Sequence, residues 1–344
     1  MCIRDRSRTL ANDLDVEPEA ATVGLYESIR AGELDPEPSV LRKLPEGAGV
    51  QIGECPYRGL SSFREADAPF FFGREDFVAR LVEAVQRQPV VAVIVGSSGA
   101  GKSSAVFAGL LPRLRAEDDW LIVPFRPGAD PFTALANAII RDLEPDLSET
   151  DHLVEARRLS EAFRLGELPV GDALRRALEK TEHASRLLLV VDQSEELYTL
   201  CPDPDVQRRF LDALLDAADQ SEQHLDHSIV LLVALRADFM GHALTYRRFA
   251  DTLQHASLLM GPMSRNELRA AIERPAARQG AAFEAGLVDR LLDDVGSQPG
   301  NLPMLEFALT LLWDKQDAGL MTHEGYEATG RVEGALARYA DEVL

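Results

Sequence analysis

Short, almost wholly apolar runs alternate with helical stretches through the middle of the chain. Val90–Val95, Trp120–Pro124, Leu187–Val191, Ile229–Leu235 and Ser257–Met260 are each rich in Val, Ile or Leu and are separated by longer mixed segments. A continuous apolar run, unlike an alternating one, marks a strand buried on both faces, and strands alternating with helices predict a parallel sheet covered on both sides. After Gly261-Pro262 the pattern becomes helical. Ser264-Arg265-Asn266-Glu267 has the form of a capping box that opens a helix carrying Leu268 and Ile272, which Pro275 is predicted to stop. Helices are predicted next over Ala285–Val295 and Leu302–Trp313. No internal repeat is present.

Upstream, Leu10, Leu14, Leu25 and Ile29 recur at helical spacing around the break Val16-Glu17-Pro18, the pattern of a helical hairpin's tail. Residues 31–53 follow, rich in Pro, Gly and acid without apolar periodicity, and read as a linker. Met1–Arg6 matches nothing downstream and is given no structural weight.

Composition narrows the class. The 344 residues allow two or three domains with a real core, which excludes a disordered chain or a stapled mini-protein. With 36 basic residues against 57 acidic ones the net charge is −21, so no basic face for a phosphate backbone is expected and nucleic-acid binding by this segment is disfavoured. Cys2, Cys55 and Cys201 are odd in number and far apart, which suggests neither a disulfide framework nor a thiolate metal site and fits a reducing, cytoplasmic setting. The apolar runs fall far short of the ~18 residues a membrane span needs, and the N-terminus lacks a signal peptide's apolar region. His224-x-x-His227 has no further ligand nearby and reads as a solvated loop rather than a zinc site.

Chemistry enters at Gly96-Ser97-Ser98-Gly99-Ala100-Gly101-Lys102-Ser103, a complete G-x-x-x-x-G-K-[ST] string directly after the apolar run Val90–Val95 and before a helical stretch. Such a loop turns successive backbone N–H groups inward as an anion nest at a helix N-terminus, with Ser104 just beyond it, and Lys102 reaches the β- and γ-phosphates. Ser103 is expected to place its hydroxyl on Mg²⁺. A magnesium nucleotide needs a carboxylate at the end of a neighbouring strand, and Leu187-Leu188-Leu189-Val190-Val191-Asp192 supplies Asp192. Gln193-Ser194-Glu195-Glu196 follows; of its two acids Glu195 is preferred to Glu196 for orienting a water, the other being a solvated charge at a helix start. Ile229–Leu235 ends in Arg236-Ala237-Asp238, which puts Arg236 on the P-loop's edge of the sheet, either sensing the γ-phosphate or simply paired with Asp238. The strand predicted at Trp120–Pro124 comes between the P-loop strand and the Asp192 strand in sequence, the ordering of P-loop ATPases with an inserted central strand.

Phe70-Phe71-Phe72-Gly73-Arg74-Glu75 resembles the base-binding segment that precedes such P-loops, with Gly73 admitting the backbone to adenine. Together with Cys55-Pro56-Tyr57-Arg58-Gly59-Leu60, Arg126-Pro127-Gly128, Leu235-Arg236-Ala237-Asp238-Phe239, Pro262-Met263-Ser264 and Gln298-Pro299-Gly300-Asn301-Leu302-Pro303, these residues are similar to the STAND signalling NTPases. They are closely similar to the bacterial novel STAND family, often linked to WD repeats, over nearly all of the chain from Cys55 onward. Ser194 departs from the family's usual aromatic, a change expected to cost packing rather than chemistry. The N-terminal two dozen residues resemble the tail of the TPR-like bacterial transcriptional activator domain.

These resemblances imply an α/β P-loop NTPase sheet followed by a helical lid. Residues 1–31 would end a TPR-like module and 32–53 link it to a nucleotide-binding domain over 54–262. A lid over 263–317 follows, and 318–344 would begin a winged-helix-like domain, so the chain is expected to be the middle of a longer protein. The implied function is an ATP/ADP-dependent switch using Mg²⁺, a slow ATP hydrolase in bacterial signalling, with Pro303 touching the adenine face. Proline is also simply well tolerated in a first helical turn. Protein partners would bind outside this segment, with nucleotide-dependent self-association allowed and no membrane role. The alternative is a transcriptional regulator whose P-loop module only tunes an activator domain. A fast AAA+-type motor is disfavoured because Gln193, rather than Glu, follows Asp192.

Overall fold

The computed structural model describes residues 52–95, 99–221, 228–296, 302–332 and 334. The expected N-terminal helices and linker, and the His224/His227 loop, lie outside the described residues. Within the unit Val50–Leu344, five parallel strands form one sheet: β1 (Val90–Val95), β2 (Trp120–Phe125), β3 (Arg186–Val191), β4 (Ser228–Arg236) and β5 (Ser257–Met260). Every apolar run predicted to be a strand is one. Their order is β2-β3-β4-β1-β5. β4 is therefore the inserted strand, lying between β1 and β3, and the strand carrying Asp192 is not the P-loop strand's neighbour as expected. Sequence order alone does not report which strand slides between two others; here the β4 run, the longest, is buried on both sides and pairs with both.

Alternate side chains of these runs feed two cores, as the pleat demands. Leu187, Leu189, Ile229, Leu231 and Val233 face one core, built with α3 (Pro131–Leu143), α5 (Val170–Lys180) and α6 (Pro204–Ser221). Leu188, Val190, Val230 and Leu232 face the other, with α1 (Glu75–Arg87) and the P-loop helix α2 (102–115). α2 starts at Lys102, widens to a π-helical stretch over Ala105–Leu110 and returns to α form. α4 (Glu149–Leu165) packs on α3 and is capped by the Ser148 hydroxyl, which accepts from Asp151 N–H. α7 (Arg247–Ala256) leads into β5.

The helices after β5 build a third core. α8 (Arg265–Arg278) opens with the predicted capping box: Ser264 N–H donates to Glu267 at 2.6 Å while the Ser264 hydroxyl accepts from Glu267 N–H. Pro275 does not stop this helix; it is buried inside it, and α8 runs three residues further. The fully buried Ile272 and Ala276 hold that last turn in the core, which outweighs the one N–H that Pro275 lacks. α9 (Leu287–Val295), α10 (Leu302–Asp314) and α11 (His323–Thr329) complete the cluster, centred on Leu291, Leu309, Leu312 and Tyr326. The region is not purely helical, because β6 (Ala282–Phe283) and β7 (Leu320–Met321) pair in parallel. Two-residue strands are too short to leave a period in the sequence. Tyr57, from the segment before α1, is also buried in this core, its hydroxyl donating to the Ile272 carbonyl at 2.6 Å.

Candidate nucleotide site

At the carboxyl edge of the sheet a cavity of about 430 Å³ opens between the P-loop and the later helices. Gly99–Ser104 line one side, joined by Gln193, Glu195 and Arg236; Met263, Ala271, Leu302, Pro303 and Glu306 line the other. Gly96, Ser97 and Ser98 lie outside the described residues. Gly99 sits at φ +79°, and a Cβ on it would overlap the Pro303 ring, so the loop and the first turn of α10 touch where only glycine fits.

The charged groups here are already paired with one another. Lys102, at the start of α2, is buried, and its Nζ donates to Glu195 at 3.2 and 3.3 Å. The Ser103 hydroxyl donates to Asp192 Oδ1 at 2.7 Å, and Arg126 Nε donates to Asp192 Oδ2 at 3.2 Å. Asp192 is held in place from both sides and almost fully buried. A hydroxyl and a carboxylate converging in this way is the donor set that Mg²⁺ takes alongside phosphate oxygens and water, so the residues present fit that ion. Glu196 is not turned to the cavity: its Oε2 accepts from Gly128 N–H at 3.1 Å and ties down the Arg126-Pro127-Gly128 loop. The two acids left open by the sequence are thereby told apart by their partners.

Arg236 stands beside Val95 in the β1–β4 register, next to the start of the P-loop. It lines the cavity and is paired with Asp238 through Nε at 3.0 Å and through Nη2, and its pKa is raised by that pair. Of the two readings left open by the sequence, the structure shows the pair with Asp238, and places the paired Arg236 in the cavity wall. Ser104 lines the cavity while its hydroxyl accepts from Phe63 N–H at 3.2 Å. Arg74 lines it too, nearly fully buried, with Nη2 donating to Ala100 O at 3.2 Å and Nε without a partner among the described residues. Burial pulls its pKa down, although an arginine stays charged.

Gly73 lies between the cavity-lining Phe72 and Arg74, and the space its missing Cβ leaves is filled by the Glu267 carbonyl and by Met263 Cε at 2.8 Å, so at φ +84° it packs closely on α8. Ser194 likewise does more than leave a gap: its N–H and hydroxyl both donate to Ala234 O, at 3.0 and 2.8 Å, stitching the turn after β3 onto β4.

A model of the novel STAND NTPase 1 family matches residues 56–344. The chain belongs to that family. As an NTPase of this family it is also similar in fold to solved structures at low identity. The Walker-type ATPase PABY2304 of Pyrococcus abyssi is 14% identical, with 82% of this chain and 78% of that one covered at a TM-score of 0.49. The ORC2 protein of Aeropyrum pernix, solved in ADPNP and ADP complexes, is 16% identical over 77% and 66%, at 0.48. Domain III of the replication initiation protein DnaA of Thermotoga maritima is 13% identical over 81% and 98%, at 0.45. A comparison with curated proteins gives no match. Among the described residues no helix is long and apolar enough to cross a membrane, and no cluster of three metal-ligating side chains forms.

Two residues at or beside the site escaped the motif reading. Arg126 could be placed in a family string but not on Asp192, since the β2–β3 adjacency that joins them is tertiary. Glu306 left a signal that was there to be seen: it is the lone charge in the largely apolar Leu302–Leu312. Burial pushes its carboxyl up to about 7 from the usual 4.5. The folded state therefore binds this proton more tightly than the unfolded chain, and the stability it confers is present below about 4.5 and lost as pH rises through 7. Glu306→Gln should remove that dependence. Thermal melts are expected to show the variant gaining on wild type as pH goes from 5 to 7, the difference levelling off above; a constant difference would contradict it.

Proposed function

We propose that this NTPase is a nucleotide-dependent switch that binds ATP with Mg²⁺ at the P-loop, hydrolyses it slowly and reports the bound state through its later helices. The observation that carries this reading is that the cavity wall combines the P-loop and sheet edge with residues of α8 and α10, joined by Gly59–Phe63, Phe70–Phe72 and Arg74 ahead of α1. Any ligand filling it touches both. In this proposal residues 54–262 act as the nucleotide-binding module and 263–317 as a lid. Lys102 neutralises the β- and γ-phosphates and Glu195 orients the attacking water. Ser103 and Asp192 would hold Mg²⁺, which supplies charge neutralisation between the phosphates when bound.

Arg236 can leave Asp238 for a γ-phosphate, a charge-assisted contact that ADP cannot offer. Because Pro303 already abuts Gly99, any movement of the P-loop is felt at the first turn of α10. A role in bacterial signalling follows from the same property, since slow turnover with a two-state lid suits timing rather than work. Hydrogen exchange tests the switch. With ADP and with a non-hydrolysable ATP analogue, protection is expected to differ over Leu302–Asp314 and around Arg236. Identical patterns with both nucleotides bound would refute it.

A further inference from the structure

Glu306 stands in the cavity wall without a role in the phosphate chemistry. Leu302 and Pro303 meet the P-loop glycines, and Glu306 lies one helical turn on, ~5 Å further along α10. A carboxyl is repelled by a polyphosphate, so the part of a nucleotide that suits it is the one away from the phosphates, and Phe63, Phe71, Met263 and Ala271 add apolar wall to the same cavity. An apolar slot with one placed polar group is how a flat base is held and oriented. Among the described residues its one hydrogen bond is long, from Arg58 N–H to Oε2 at 3.4 Å, which leaves Oε1 unpartnered.

We propose that Glu306 reads the base, accepting the 6-amino group of adenine through Oε1 and turning away 6-oxopurines. The inference rests on the nucleotide reading above and adds the base to it. One open acceptor oxygen suits a single N–H donor. Guanine and hypoxanthine would set O6, an acceptor, against it where adenine offers an N–H donor.

The test is calorimetric titration of the whole chain with Mg-ADP, Mg-IDP and Mg-2′-deoxyADP. Setting an acceptor against an acceptor where a donor should stand is worth ~10- to 100-fold, so wild type should prefer ADP to IDP by that factor. Glu306→Gln, nearly isosteric and able to turn its amide N–H₂ toward O6, should bring the two within ~3-fold while ADP still binds. Glu306→Met, with no acceptor, should also lose the preference. A wild-type ratio near unity, or a ratio that Glu306→Gln leaves unchanged, overturns the proposal. So does a variant whose loss falls on the ADP to 2′-deoxyADP ratio instead, which would make Glu306 a ribose contact. A wild type that binds neither diphosphate defeats the nucleotide reading itself, and this proposal with it; an altered ratio is seen only in a chain that binds both.

Discussion

Lys102→Ala is expected to abolish tight Mg-ATP binding, lowering affinity by ~100-fold or more while the chain stays folded. A cation's contact with phosphate in a partly desolvated site is worth about 1.5–3 kcal/mol, and Lys102 reaches more than one phosphate oxygen. Arg126 cannot replace it, being committed to the buried Asp192. The substitution also leaves Glu195 without its cation beside the incoming polyphosphate, so repulsion adds to the lost attraction. Folding should survive because Lys102 lies at the first position of α2 with its ammonium at the cavity and belongs to none of the three apolar cores. Calorimetry on wild type and variant, with circular dichroism to confirm the fold, decides the matter. Unchanged ATP affinity in the variant would mean that the nucleotide goes elsewhere.

Much of this site could be read before any coordinates. The five strands were legible because a parallel strand buried on both faces must be apolar throughout, so β1 to β5 stand out as runs whose bounds the structure moves by at most one residue. The P-loop was legible because its chemistry is local: glycines, lysine and hydroxyl follow one another in the chain. What remained hidden was whatever depends on which elements become neighbours. An inserted central strand was read from the order of the runs, but that it is β4, between β1 and β3, that Arg126 grips Asp192 and that Gly73 meets Glu267 all depend on pairings across the fold. Pro275 misled for a related reason, since its local preference is to end a helix and the third core overrides it. The separation of Glu195 from Glu196 likewise needed their partners, Lys102 and Gly128 N–H, which lie 93 and 68 residues away in sequence.

Glu195→Gln is expected to keep or improve nucleotide binding and to lose ~10²- to 10⁴-fold in turnover, the range by which a positioned base or water-orienting group contributes. Binding should hold because Glu195 and the nucleotide compete for one cation. The Glu195 carboxylate holds Lys102 Nζ at 3.2 Å, and that pair must loosen before Lys102 can serve a phosphate. A neutral amide of the same shape holds Lys102 less firmly and removes a negative charge facing the γ-phosphate, so affinity moves up, by less than tenfold in a site that solvent still reaches. Turnover should fall because Gln cannot take a proton and orients water less strongly than a carboxylate does. Glu196 is not free to take over while it holds the Gly128 N–H. The two measurements are a binding isotherm for Mg-ATP and single-turnover phosphate release. Normal release with unchanged binding would remove Glu195 from the reaction and leave it the simpler part of a counter-charge that keeps Lys102 in place until phosphate arrives.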